Sequence, residues 1–240
     1  MKTVAIYGIK FTKQNLDYLM QVVQECAKRG WNVVLAHDIK EQLVSKFDVD
    51  INCRTYQDFS DFKSGIDYMI SLGGDGSFLR AVRYIRDSQV PILGINTGRL
   101  GFLSNISKEA IGETFQLIEE KKYEFQRRSL IRVKTENDLF GEENFALNEL
   151  TISKKDTSSM ITVHAHLDGK YLNSYWADGL IVSTPTGSTG YNLSCGGPII
   201  TPGCQVHIIT PIAAHNLNVR PVVVPDHLPI DLTLESRDRT

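Results

Sequence analysis

Short apolar runs alternate with longer stretches of helical periodicity through the first half of the chain. Val4 to Tyr7 is a continuous apolar run closed by Gly8, the mark of a short strand. Thr12 stands as a helix cap before Leu16, Leu19, Met20, Val23, Cys26 and Ala27, which recur at helical spacing until Gly30. Val33 to Ala36 is a second strand. The stretch from Gln42 to Phe62 is polar and aromatic with weak periodicity, and it supports no more than a short helix and a loop. Tyr68 to Leu72 is a buried strand leading into Gly73-Gly74-Asp75-Gly76. Ser77 is then placed to cap a helix carrying Phe78, Leu79, Val82 and Ile85 on its apolar stripe. Ile92 to Ile95 is another strand, and a last helix is expected from about Lys108 to Lys121. Strands and helices in this order predict a parallel sheet covered by helices.

The period then shortens. Leu130 to Lys134, Phe145 to Leu147, Met160 to Leu167 and Tyr171 to Trp176 read as short strands, with Asp168-Gly169 as a two-residue hairpin turn between the last two. Leu180 to Ser183, His207 to Ile212, Pro221 to Val224 and Ile230 to Leu234 continue the series. In the last run Ile230, Leu232 and Leu234 alternate with Asp231, Thr233 and Glu235, the period of a half-buried strand. The fold class is therefore α/β: a parallel sheet with helices over residues 1–120, then a mostly β domain over 121–240, with the boundary between about residues 105 and 128. No internal repeat or low-complexity tract interrupts it.

Composition narrows the function classes. The 240 residues are 42% hydrophobic and 22% charged with a formal net charge of −2, which excludes collagen-like, disordered and coiled-coil chains. A near-neutral balance argues against a nucleic-acid partner, and Lys121-Lys122 and Arg127-Arg128 read as solvated surface. No run approaches the ~20 apolar residues of a membrane span and no signal peptide precedes Val4, so the expected location is the cytoplasm. Cys26, Cys53, Cys195 and Cys204 form no Cys-x-x-Cys, and the dispersed histidines, His164 and His166 included, show no metal-ligand spacing. No protein metal site is expected.

Four segments carry the chemistry. The densest is Ser71 to Ser77, with three glycines around one acid between a strand and a helix start. Such a cluster marks unusual dihedrals or the close approach of a ligand, and free N–H groups at a helix N-terminus favour an anion. The competing reading is a tight strand-to-helix turn with Asp75 as a helix cap. Asn96 to Leu103 (Asn-Thr-Gly-Arg-Leu-Gly-Phe-Leu) closes the next strand, and ligands of open α/β sheets bind outside such carboxyl ends. Gly98 and Gly101 equally suit a plain interdomain turn. Asp178 to Ser194 holds hydroxyls, glycines and Tyr191, suited to ribose, phosphate and a nucleobase, while the Gly-x-Ser-x-Gly of a nucleophile elbow is absent around Ser188. Asn148-Glu149 is the fourth, an amide beside a carboxylate between two strands. There is no P-loop and no Gly-x-Gly-x-x-Gly fingerprint.

Taken in order, Gly73-Gly74-Asp75-Gly76, Asn96 to Leu103, Asn148-Glu149, Asp178 to Ser194 and Gly196-Gly197-Pro198-Ile199 resemble the NAD kinases. Lipid kinases and 6-phosphofructokinases share the first element alone. The resemblance implies a Rossmann-like N-terminal parallel sheet with helices, followed by a mostly β C-terminal domain. It implies transfer of the γ-phosphoryl group of ATP, with magnesium, to the 2′-hydroxyl of the adenosine ribose of NAD. Asp75 would be the catalytic base, while Gly73, Gly74, Gly76 and Arg80 would meet phosphate. Asn148 and Glu149 would hold the acceptor nucleotide, Asp178 would be a further nucleotide-contacting acid, and Thr189, Gly190, Tyr191, Asn192, Leu193 and Ser194 would form its adenine and ribose loop. A cytoplasmic homo-oligomer, dimer or tetramer, is implied, with a neighbouring subunit contributing to the site. Ser77 stands for a commoner threonine and Gly190 for a commoner alanine, and family members continue past the equivalent of Thr240. A lipid kinase of the same superfamily and a catalytically silent dinucleotide-binding module are the alternatives.

Overall fold

The computed structural model describes residues 1–235 apart from 9, 10, 64, 99 and 156–158, and apart from the side chain of residue 14. Arg99 of the second segment and the tail after Glu235 therefore lie outside the described residues. The chain divides into two compact units, Met1–Phe125 and Gln126–Thr240.

In the first unit, strands β1 (Thr3–Gly8), β2 (Asn32–Ala36), β3 (Arg54–Tyr56), β4 (Tyr68–Leu72), β5 (Ile92–Asn96) and β6 (Ile106–Ser107) form one sheet. Their spatial order is 3-2-1-4-5-6 and every pairing is parallel. Helices α1 (Lys13–Lys28), α2 (His37–Phe47), α3 (Asp75–Ile85) and α4 (Ile111–Glu119) link the strands. Ile6, Leu35, Met69, Ile70 and Ile95 on the strands bury against Leu19, Leu43 and Phe115 on the helices. Each such side chain contributes about 1.5–3 kcal/mol by leaving water. Strand order reverses between β1 and β4, so the carboxyl ends at Gly8 and Leu72 open on the switch point where doubly wound sheets place ligands.

Three details differ from the expected elements. The helix after β2 starts directly at His37 and buries Ile39 and Leu43, positions that precede or only begin the weakly periodic window at Gln42. β3 is a three-residue edge strand, too short to show a period. Helix α3 begins at Asp75 with Gly74 as its cap, two residues before Ser77, which is instead buried in the first turn. Thr12 caps α1 as expected, its Oγ1 accepting the Asn15 N–H at 3.3 Å.

The second unit is antiparallel throughout. β7 (Ile131–Arg132) pairs with β8 (Phe145–Ala146). β9 (Glu149–Ser153), β12 (Gly179–Ser183), β13 (Val206–Ile212) and β14 (Val222–Pro225) form a four-stranded sheet in the order 14-13-12-9. β10 (Ile161–Leu167), β11 (Lys170–Ala177) and β15 (Ile230–Glu235) form a three-stranded sheet in the order 11-10-15. Val163, Ala165 and Tyr175 pack with Leu180, Ile209 and Val224. Asp168 and Gly169 both have positive φ, 51° and 71°, which is the hairpin geometry their sequence demands. β9 was not expected. Leu150 and Ile152 alternate with Glu149, Thr151 and Ser153, but five residues beside a long polar stretch gave too short a run to separate from loop. The strand places Glu149 opposite Ser183 and Ser153 opposite Gly179.

Candidate active site

In the first unit, Gly73 turns the chain out of β4 with φ +139°, a conformation that side-chain-bearing residues rarely adopt. Its N–H donates to Ile95 O at 3.0 Å, so this glycine shapes the loop and its donor is already used. Gly74 and Gly76 have open space where a Cβ would stand. As the first turn of α3, Asp75 and Gly76 direct N–H groups that no intrahelical carbonyl can satisfy. That is the local geometry of an anion cradle.

Asp75 does more than cap. Its Oδ2 accepts the Phe102 N–H at 2.8 Å, and its Oδ1 accepts the Leu103 and Ser104 N–H groups at 2.9 Å each. The second glycine-bearing segment is thereby fastened to the first. A Cβ at Gly101 would overlap the Asp75 carboxylate, so glycine is required for this approach. Asn96, 3% exposed, ties the loop at both ends: its Nδ2 donates to Ser104 O at 3.1 Å and its Oδ1 accepts the Gly98 N–H at 2.7 Å. A carboxylate has about four acceptor positions, so three amide bonds leave one for another group. Arg80 is exposed on α3; together with Arg83 it draws on the Tyr7 phenol, which burial pushes up from its ordinary value.

In the second unit, the segment after β12 folds back on the start of β9. Thr184 N donates to Asn148 O at 2.9 Å, Thr184 Oγ1 donates to Leu147 O at 2.5 Å, and Gly187 N donates to Thr184 Oγ1 at 3.1 Å. A Cβ at Gly187 would overlap Asn148 O. These contacts hold Gly190 beside the side chains of Asn148 and Glu149: a Cβ there would stand 3.4 Å from Glu149 Oε2 and 3.9 Å from Asn148 Nδ2. Asn148 Oδ1 and Glu149 Oε2 are both buried with no hydrogen-bond partner among the described residues. Burial pushes the Glu149 carboxyl above the ordinary range. Two adjacent unsatisfied acceptors call for a ligand that brings donors, such as sugar hydroxyls or an exocyclic amine.

The 189–194 segment divides by direction. Tyr191, Leu193 and Ser194 are exposed on the four-residue helix α5 (Tyr191–Ser194), while Thr189 and Gly190 are half-buried. Asn192 is fully buried and its amide makes three hydrogen bonds: Nδ2 donates to Ser188 O at 3.0 Å and Pro198 O at 3.1 Å, and Oδ1 accepts from Thr210 Oγ1 at 2.6 Å. Its place is to brace the loop. Ser188, another hydroxyl of the motif, is buried and bonded to Pro185 O and to Ile200 at both its O and N–H. Asp178 stands at the opposite end of β12 from Ser183, about 16 Å along the strand, paired with Lys154 at 2.6 Å. Within this unit it does not join Glu149.

One residue beside this loop was not expected. Arg128, read as solvated surface, is half-buried and donates to Thr186 Oγ1 at 3.3 Å. A charged dipeptide in a polar stretch carries no period that could have marked it. Among the described residues, no group of three His, Cys, Asp or Glu side chains is arranged to hold a metal ion.

The two units correspond to two family models. Residues 5–123 match the ATP-NAD kinase N-terminal domain and residues 147–240 match the ATP-NAD kinase C-terminal domain. The chain belongs to the ATP-NAD kinase family. Within that family, the NAD kinase of Flavobacterium psychrophilum is 54% identical over 98% of this chain and 81% of its own length, and that of Flavobacterium johnsoniae is 44% identical with the same coverage. Among solved ATP-NAD kinase structures, an Archaeoglobus fulgidus NAD kinase in complex with ATP aligns at a TM-score of 0.71 with 27% identity, covering 98% of this chain and 81% of that one. A yeast NADH kinase complexed with NADH shares the fold at a TM-score of 0.84 and 24% identity, over all of this chain and 70% of that one.

Proposed function

We propose that the chain is an ATP-dependent NAD kinase, transferring the γ-phosphoryl group of ATP to the 2′-hydroxyl of the adenosine ribose of NAD. The observation that carries this reading is the pair of unpartnered buried acceptors, Asn148 Oδ1 and Glu149 Oε2, beside Gly190 on a loop that also offers Thr189 and Tyr191. Donors on a ribose and an adenine satisfy both at once. ATP binds through the Asp75–Gly76 end of α3, with Arg80 on the same helix as a further cation. Magnesium arrives on the ATP as substrate, and the one acceptor position that the loop amides leave on Asp75 is compatible with a carboxylate facing that complex.

Asp75 acts as the base for the attacking hydroxyl. Phosphoryl transfer proceeds through a loose transition state that needs little early proton removal, so a well-placed carboxylate suffices without strong basicity. Its three amide bonds fix both oxygens, which is the placement such a step requires. Asp178 enters the site only from a second copy of the chain, since its own β12 carries it away from Glu149; a homo-oligomer, dimer or tetramer, follows from this reading. No helix among the described residues is long and apolar enough to cross a membrane.

The test is NADP formation from NAD and magnesium ATP, read with an NADP-specific dehydrogenase. Asp75→Asn should lower kcat by about 10²–10⁴-fold. An unchanged rate in that variant removes Asp75 as the base. Phosphorylation of diacylglycerol in place of NAD would move the enzyme to the lipid kinases, and calorimetric NAD binding without any turnover would leave a silent binding module.

A further inference from the structure

The Arg128 guanidinium has an incomplete set of partners. Nη1 donates to Thr186 Oγ1 at 3.3 Å and Nη2 to Gln126 Oε1 at 2.5 Å, and both acceptors are neutral. Burial alone draws this cation below the usual arginine range, with no charged neighbour among the causes. Glu149 too is perturbed by burial alone, so the two charges do not compensate each other. Taking a cation out of water without an anion is unfavourable, and arginines in such places are found where a carboxylate or phosphate completes the pair. Among the described residues, three of its five N–H donors have no partner and remain for that anion.

Its surroundings say which anion. Thr186 belongs to the loop whose main chain is bonded to Asn148 and which carries Gly190 past the two unsatisfied acceptors. The segment bearing Arg128 is itself fixed, because the next residue, Ser129, donates from Oγ to Asp226 Oδ2 at 2.8 Å. A rigidly held planar donor fork at the edge of a loop that accepts sugar and base hydrogen bonds is matched by the phosphate of the same nucleotide. We propose that Arg128 is a phosphate-binding residue of this site, its guanidinium paired with a phosphate oxygen of the nucleotide that the 184–194 loop holds. This rests on the reading of that loop as a nucleotide site.

The experiment compares Arg128→Met and Arg128→Lys with the unsubstituted chain. Calorimetric dissociation constants are measured for 5′-AMP and adenosine, KM for NAD and for ATP, and Tm for each variant. A phosphate-binding arginine predicts that Arg128→Met keeps or raises Tm, since an uncompensated charge is removed. It predicts that the preference for AMP over adenosine falls by about 10–100-fold while adenosine itself binds as before, the loss of one charge-assisted contact. Arg128→Lys should restore part of the preference. Whichever KM rises, that for NAD or that for ATP, identifies the nucleotide whose phosphate is met. A lowered Tm with the AMP preference intact would make Arg128 a structural brace and overturn the proposal. Failure of both AMP and adenosine to bind the unsubstituted chain would overturn the nucleotide reading itself, and this inference with it.

Discussion

Glu149→Gln should make the protein more stable while disabling the site. Glu149 Oε2 is buried without a partner, and burial raises the pKa of the group above its ordinary 4.5. A carboxyl whose folded pKa is raised contributes stability that is fully present below the unfolded pKa and is lost as pH rises through the folded value. The loss is complete once the pH stands well above the folded value. An unsatisfied buried acceptor costs about 1–3 kcal/mol, and the partial exposure of the side chain places this case near 1 kcal/mol. Glutamine has nearly the same shape and no charge, so most of that cost disappears. For a chain of this size 1 kcal/mol is about 2–4 °C in Tm.

The assay must follow the second unit, since two units need not unfold together. The two tryptophans fall one in each unit, so a Trp31→Phe background leaves Trp176 on β11 to report on Glu149's own unit. Glu149→Gln is expected to raise that Tm by about 2–4 °C at pH 8, with the gain shrinking toward zero as pH falls to 4 and the native carboxyl takes up its proton. The same variant should raise KM for NAD by about 10–100-fold, the loss of a hydrogen bond to a charged acceptor. An equal or lower Tm at pH 8, with a difference independent of pH, would refute the reasoning. Glu149 would then be an ordinary satisfied residue rather than an acceptor held ready for a ligand.

Two further outcomes follow from the same unit. Gly197→Ala would drive a Cβ into the Asn192 amide, which is fully buried and makes three bonds; a loss of about 3 kcal/mol, or 6–12 °C in the Trp176-monitored Tm, is expected, and a change under 2 °C would show that Asn192 does not brace the loop. His207, 9% exposed with Nε2 unpartnered, is held neutral by burial and its pKa lies below the ordinary 6.5. Because its folded pKa is lowered, its stability contribution is complete above pH 6.5 and is lost as pH falls below that value. Tm should therefore decline between pH 7 and 5, and His207→Gln should flatten the decline.

Legibility in the sequence followed the size of each element. The apolar run Val4 to Tyr7, the buried segment Tyr68 to Leu72 and the two-residue turn at Asp168 were visible because their patterns are local and dense. β3 and β9 were not, the first because three residues cannot show a period and the second because its two inward residues, Leu150 and Ile152, sit among polar neighbours and become a strand only by pairing with β12. Of the candidate site residues, type and spacing located the loops but not the directions of their side chains. Asn192 and Leu193 are adjacent in the same polar run, yet one faces inward and braces while the other is exposed. Arg128 and Arg127 are likewise adjacent, and only the fold distinguishes them, since 128 meets Thr186 and 127 is exposed.

The glycines of the site divide along the same line, and the division bears on how the chemistry is held. A glycine cluster suggests a ligand approaching the main chain, and that fits Gly74 and Gly76, where space is open. Gly101 and Gly187 are glycine for the opposite reason: the space is already occupied by the chain's own polar groups, the Asp75 carboxylate in one case and the Asn148 carbonyl in the other. In the first unit the close approach at Gly101 accompanies a fixed side chain, Asp75; in the second the close approach at Gly187 fixes main chain, at Asn148. Asp75 is held by the N–H groups of residues 102–104, whereas the turn through Gly187 packs against the Asn148 carbonyl. The Asp75 carboxylate and the Asn148 main chain are therefore positioned by the chain's own interactions. In the second unit a ligand can recruit Asn148 Oδ1 and Glu149 Oε2, and in the first unit one acceptor position remains on Asp75, without dismantling the loop that carries each.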